Sequence, residues 1–527
     1  MAAPAEKFPG AFWSANVTEL FERAAYYSMA SFVVIYLGQL GLGAYLPSTL
    51  NGVLWSVLYF LPILSGTIAD QVGFRRSLLV AFVLLTAGYL LMGAPVWLGG
   101  VKLAPIVHKE VTASAGLVAT VLVAILLIGA GGSVVKPCIS GTMQKTAGAR
   151  VTLAFAIFYM IINIGSMVGR GVAFVVRNGA VLPTILGVVG ICALVATLLI
   201  AVVYRVVEAR GEKGAPPWIS IPLVAVIAAG AAVAVWLFRT GGHGARTGAE
   251  LSYIFVVAAT ASVLAFFVVL LLYRDTGAPA AAPDKPRRSV GRILLDMVLV
   301  LRNRRFLLFL LVMSGFWFIY NQVYNVLPLY AKRVVESSPA MDLYTAANPF
   351  MIVAFQLLIT SLFGRVRAIR SIVIGTVIIS VSMGINLLPV FLAGGVRVLV
   401  ANWLPIGSVF IILTVALIAF GELFTSARMY EYIGALAPKG QEGLFLGYAN
   451  LPVAVGALTG GPVGALIFNE VMARNATIRP DGLLELKPAQ NALGWLILMG
   501  IGFLSALALW LYHRWLVRHP AAAAPAA

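Results

Sequence analysis

The chain has 527 residues, of which 61% are hydrophobic and only 11% charged, and its mean hydropathy is +0.97. That composition excludes a soluble domain around one buried core and indicates an all-α polytopic membrane protein. The formal charge of +18 invites a nucleic-acid reading. However, Lys and Arg favour the cytoplasmic segments assigned below by roughly two to one, the positive-inside bias, which argues for membrane lipid and against nucleic acid.

Met1 to Gly10 carries one lysine and leads into a segment with two glutamates and an arginine, unlike the uninterrupted apolar core of a cleavable signal peptide. The first helix is therefore expected to be retained. Apolar spans of about 20 residues follow at 12–38, 48–70, 76–98, 112–137, 150–176 and 181–204. Arg75 and Arg76, then Lys145 and Arg150, then Arg205, Arg210 and Lys213 mark their joints, all consistent with a cytoplasmic N-terminus. Two Ala/Val-rich spans, 218–238 and 251–273, contain no charge between their ends and read as peripheral and lipid-facing. Residues 274–305 read as a cytoplasmic linker with a short amphipathic helix at 289–302. Six further spans lie at 306–331, 345–364, 371–393, 402–433, 443–470 and 490–516.

The expected organisation is thus a cytoplasmic N-terminus (1–11), a six-helix bundle (12–210), two extra peripheral helices (211–273), a linker (274–305), a second six-helix bundle (306–518) and a disordered tail (519–527). That makes fourteen transmembrane helices with both termini cytoplasmic. A substrate site in such a pair of bundles lies at mid-membrane between them. Cys138 and Cys192 both fall in spans and outline no disulfide framework. Four scattered histidines and the lack of a nucleophile–base set argue against an enzyme, and no metal or organic cofactor is expected.

Within the first span, Glu19, Glu22, Arg23, Tyr26 and Tyr27 fall at about 0°, −60°, +40°, −20° and +80° around a helix, a single polar stripe. Ionisable groups there cost several kcal/mol unless they are paired or face a wet cavity, so this face looks inward. Gly66 to Arg76 joins helices two and three through Asp70, Gly73 and two arginines; glycine permits the turn, and the acid at the helix end can pair with the loop's arginines. This segment resembles the cytoplasmic loop signature of the major facilitator superfamily. Helix four carries Gly129, Gly131 and Gly132 for close helix approach, then Lys136-Pro137. Its lysine either pairs with Glu19 or Glu22 or snorkels to the interface. On chemistry alone, Asn163 in helix five is interhelical glue.

Glu19 to Tyr27 resembles the ExxERFxYY motif of the proton-coupled oligopeptide transporters, a branch of the same superfamily. Lys136-Pro137, Phe158-Tyr159 with Asn163-Ile164-Gly165, Phe316-Trp317, Asn348-Pro349, and Gly421-Glu422 with Ser426, Glu431 and Ala437-Pro438 are similar to that family's later signatures, in the same order. The resemblance implies a proton-coupled symporter that imports di- and tripeptides by alternating access, protons being the only coupling ion. It implies a monomer in a bacterial-type cytoplasmic (inner) membrane. By position it assigns proton coupling to Glu19, Glu22, Arg23 and Lys136, and the peptide carboxylate to Arg23 and Lys136. Tyr26, Tyr27 and Tyr59 would line the pocket, Asn163 and Asn348 would hold the peptide backbone, and Glu422 with Ser426 would take the amino terminus beside Trp317.

Four positions depart from the family pattern. Ala24 replaces a phenylalanine, and Asn321 before Gln322 stands where an acid is usual, which shifts proton coupling onto Glu19 and Glu22. Arg428 adds a base near Glu422 or Glu431, and Ala449 replaces an aromatic, suggesting a roomier pocket. The last three leave open a related transporter for another small anion or zwitterion. A substrate-sensing receptor is the reading from a different class, with little cytoplasmic surface to support it.

Overall fold

In a computed structural model of the chain, the residues described are 8–106, 109–148, 150–177, 250–275, 291, 299–391, 395–400, 402–436 and 448–519. The predicted spans 181–204 and 218–238, most of the 274–305 linker with its amphipathic helix, Cys192, Ala437-Pro438 and the tail beyond His519 lie outside them. Among the described residues, nine helices are long and apolar enough to cross a membrane, or ten if one bent pair counts as a span.

Helix α1 (Gly10–Ala30) carries the polar stripe, and α2 (Val33–Gln39) extends it after a break at Ser31-Phe32. The second span is α3 (Leu46–Phe60) and α4 (Pro62–Val72), bent by 43°. Proline explains the bend, because Pro62 supplies no N–H and its ring crowds the preceding turn. Gly73, at φ 100°, makes the turn into α5 (Phe74–Trp97); that left-handed backbone suits a residue without Cβ. Then come α6 (Ala115–Thr146), α7 (Val151–Arg177) and α8 (Tyr253–Leu271).

The second bundle begins with α9 (Arg304–Asn321) and α10 (Val326–Tyr330), which continues as a π-helical turn, Ala331–Val335. It continues through α11 (Met341–Thr345), α12 (Ala347–Phe363), α13 (Ala368–Gly384), α14 (Leu387–Phe391), α15 (Ile406–Leu436), α16 (Leu451–Leu466) and α17 (Pro488–Arg518). Two short antiparallel hairpins lie between helices: β1 (Leu399–Val400) with β2 (Leu404–Pro405), and β3 (Thr477–Ile478) with β4 (Leu484–Glu485).

Two expectations change. The helix at 253–271 keeps Phe267 and Leu271 exposed, as a lipid-facing helix would, but it is not a loosely attached accessory. It packs against α1, α5 and α7, burying Ile254, Phe255, Ala258 and Ala265, and so forms part of the wall of the first bundle. Trp97 Nε1 donates to Ser252 at one end (2.8 Å), and an Arg75 Nη2 donates to the Leu270 carbonyl at the other (2.7 Å). An all-apolar helix with no moment offers no sequence cue for which side is covered. Secondly, Arg75 directs its backbone N–H to Asp275 (3.0 Å) rather than pairing with Asp70, so the turn's arginine secures α8.

The glycines of α6 allow the close packing expected of them, and Gly165 and Gly169 of α7 do the same without having been singled out for it. A Cβ at Gly129 would lie 2.6 Å from Val57 Cγ1, and one at Gly169 would lie 2.2 Å from the Ala24 carbonyl. The bundles meet where α3 packs on α16 and where α7 packs on α11 and α12.

Candidate functional site

A cavity of about 710 Å³ lies between the bundles, lined from the first by Arg23, Tyr27, Trp55, Tyr59, Lys136 and Asn163 and from the second by Trp317, Tyr320, Asn348, Glu422, Ser426, Tyr448 and Asn450. It reaches toward the end carrying the basic turns, since Gly66, Thr67, Ser140 and Tyr430 also line it.

Helix α1 delivers Arg23 to the wall and holds Glu19 and Glu22 behind it, both buried to 1% exposure or less. The Arg23 Nε lies 3.3 Å from Glu19 Oε1 and donates to Glu22 Oε2. One guanidinium thus serves two carboxylates, and Glu22 Oε1 and Glu19 Oε2 have no hydrogen-bond partner among the described residues. Since burying a charge is costly unless it is paired, the stripe works as one electrostatic unit. Lys136 is not the partner of either acid. Its Nζ sits 5.9 Å from the centroid of the Tyr59 ring and faces the cavity rather than snorkelling, within electrostatic reach of both Glu19 and Glu422.

Proline places that lysine. Pro137 cannot donate to the Ser133 carbonyl four residues back, and Ser65 Oγ fills the gap from α4 at 2.8 Å. Opposite, on α15, Glu422 accepts from Asn348 Nδ2 (3.2 Å) and Ser426 Oγ (3.4 Å). Asn163 donates to the Tyr159 carbonyl one turn back (2.9 Å) while lining the cavity.

Several expected site residues lie elsewhere. Tyr26 packs behind the wall against Trp55, with ring centroids 5.9 Å apart, and does not line the cavity. Asn321 accepts from Asn325 Nδ2 (2.5 Å), and Asn325 Oδ1 accepts from Asn51 Nδ2 (3.2 Å), so these amides join α9 to α3 away from the cavity. Arg428 pairs with the half-exposed Glu431 (2.5 Å), not with Glu422, and donates to the Gly364 carbonyl (2.6 Å), capping α12. Ala449 is fully buried in the core, and its neighbours Tyr448 and Asn450 line the cavity instead. All three departures that suggested another substrate therefore stand outside the cavity.

Reasoning from sequence missed Trp55, Tyr320 and Tyr448. Trp55 lies four residues before Tyr59 and Tyr320 three after Trp317, so helical spacing put both on a known face. It also missed Arg170 and Arg177 on α7. Arg170 is fully buried, and Arg177 Nη2 pairs with Asp342 Oδ1 at 3.2 Å across the bundle boundary. The rule that singled out Arg23, a charge inside an apolar span, applied equally to Arg170.

No protein-family model matches the chain. It is 25% identical over 482 residues to dipeptide and tripeptide permease A of Klebsiella pneumoniae (strain 342), covering 88% of this chain and 85% of that one. It is 24% identical, at the same coverage, to the Escherichia coli (strain K12) permease A. Among solved structures it is similar to the peptide transporter POT in complex with sulfate (TM-score 0.57, 20% identity, 98% and 97% of the two chains). It is likewise similar to the POT family transporter PepTSo (TM-score 0.57, 20% identity, 98% and 100%). The chain thus has the major facilitator fold of the proton-dependent oligopeptide transporters, and dipeptide and tripeptide permeases are its relatives in sequence.

Proposed function

We propose that this protein imports di- and tripeptides together with protons by alternating access. The observation that carries the reading is the polarity of the cavity: Arg23 and Lys136 stand on the first bundle and Glu422 on the second. A zwitterion with separated termini matches that arrangement, with its carboxylate toward Arg23 and Lys136, its amino group at Glu422 and Ser426, and its backbone near Asn163 and Asn348. Tyr27, Tyr59 and Trp317 supply the apolar walls.

Coupling follows from the shared guanidinium. In the cavity as it stands, Arg23 is committed to Glu19 and Glu22. A substrate carboxylate competes for Arg23, and the acid it displaces is buried beside a second acid, a setting that favours protonation. Proton and peptide thereby stabilise the same rearranged state. The cavity's opening lies at the end bearing the basic turns, which we assign to the cytoplasm; the protein then sits in a bacterial cytoplasmic membrane, as a monomer, with no cofactor beyond the coupling proton.

The test is uptake of labelled alanyl-alanine into proteoliposomes with an imposed inward proton gradient. The gradient should accelerate uptake, and Glu22→Gln should still bind peptide and support counterflow while losing that acceleration. Uptake indifferent to the gradient, or driven normally in Glu22→Gln, would sink the coupling.

A further inference from the structure

Arg170 is a fully buried guanidinium whose partners are all neutral. Its Nε donates to Thr345 Oγ1 (3.0 Å), one Nη donates to Tyr324 OH (3.2 Å) and the other to Ser166 Oγ, and its Cζ stacks 4.4 Å from the centroid of the Tyr27 ring. Among the described residues no carboxylate joins them. Arginine cannot shed its proton to escape burial, and hydroxyl acceptors compensate a cation less well than an anion does. This is a cationic fork missing its natural complement.

Its position says when that complement arrives. On α7, Asn163, Ser166, Arg170 and Arg177 fall within about 60° of one another, a continuous polar ladder. Arg170 stands roughly 10 Å beyond Asn163 along the axis, and Arg177 a similar step farther. The lower rung lines the central cavity. The upper one, Arg177, lies at a second cavity of about 330 Å³ on the opposite end of the molecule, with Gln39 and Ser337. Two of the four groups around Arg170, Thr345 and Tyr324, belong to the second bundle. When the bundles part at that end, Arg170 stays on α7 with Ser166 and Tyr27, and its fork is freed. Tyr27 also lines the central cavity, so a ligand leaving Arg170 is already beside Arg23.

We propose that Arg170 is an outer carboxylate-binding residue, which holds the carboxylate of an incoming substrate in the outward-facing state before Arg23 receives it. This rests on the transport reading above and adds a second, earlier anion site to it. The closing hydroxyls of Thr345 and Tyr324 then displace the carboxylate inward as the bundles meet.

The experiment uses the full-length protein in right-side-out proteoliposomes, with labelled alanyl-alanine as the transported probe and alanyl-alaninamide, which lacks the carboxylate, as competitor. Arg170→Gln should raise the external KM for alanyl-alanine roughly tenfold and leave inhibition by the amide unchanged. Arg170→Lys, which keeps the charge but loses the fork, should raise the KM by a few-fold only, and it carries the test if Arg170→Gln does not fold. Equal weakening of acid and amide, or a fall in kcat at unchanged KM, makes Arg170 a closing latch and overturns the proposal. If the wild type takes up no peptide, the transport reading fails; an active wild type with insensitive variants means that only the Arg170 proposal fails.

Discussion

At the scale of single residues, proline and asparagine decide as much as the charges do. Pro328 removes the N–H that the Tyr324 carbonyl would accept within its helix, and Asn51 Nδ2, from the other bundle, donates to it at 3.1 Å. The same amide bonds Asn325 Oδ1. Asn51→Ala strands both acceptors in a buried place, at a cost of about 1–3 kcal/mol each, and the cost falls only on the state in which the bundles meet here. A cysteine introduced at Ser48 should become more reactive to an external impermeant thiol reagent in Asn51→Ala than in the Asn51 background. The Arg177–Asp342 pair acts at the same end, where both partners are buried. Removing either charge alone should cost about 3–5 kcal/mol, whereas Arg177→Met with Asp342→Leu should recover most of it. Thermal unfolding in detergent across that double-mutant cycle measures the difference.

Among the elements, α7 is the most constrained. One face meets α1 with almost no clearance, Gly165 against Leu20 and Gly169 against Ala24, and the other carries the polar ladder. Gly169→Ala places a Cβ 2.2 Å from the Ala24 carbonyl, a backbone atom that cannot swing aside. The helices must separate, at a cost of about 1–3 kcal/mol from overpacking, and because α1 bears Glu19, Glu22 and Arg23, uptake should fall further than the lowered Tm alone explains. Gly171, two residues along, has open space around it, so Gly171→Ala serves as the control and should leave both uptake and Tm near wild type. In α6, Pro137→Ala returns an N–H to Ser133 and makes the Ser65 bond redundant. Lys136 should then shift relative to Tyr59, lowering peptide affinity without loss of thermal stability.

For the whole molecule, the contrast between the two ends is the functional statement. One end is closed by buried polar contacts between bundles, with Ser31 Oγ and Thr345 Oγ1 2.7 Å apart beside the arginines. The exposed Lys109–Glu470 pair (2.8 Å) lies on its surface and contributes little, because exposed charges are screened and pay side-chain entropy. The other end opens into the central cavity. Raising the ionic strength should therefore leave the closed end closed, a result that accessibility labelling checks directly.

The sequence by itself determined the membrane class, nearly all the described spans and several of the residues that line the cavity, but not Trp55, Tyr320 or Tyr448, because span length, in-span charge and motif order are local properties. Glu19, Glu22, Arg23 and Lys136 stood out as charges that an apolar span cannot tolerate without a purpose, and Glu422 through its motif. Only the tertiary structure decided which of them pair. Arg23 takes both acids while Lys136 faces the cavity, since pairing depends on how α1 and α6 pack against each other. It also decided that Asn321, Arg428 and Ala449 stand off the cavity, because helical phase alone does not say which side of a helix faces a neighbour and which faces the site. The place of 253–271 was likewise undetermined, for a uniformly apolar helix fits lipid and bundle interior equally well, and only its packing against α1, α5 and α7 separates the two.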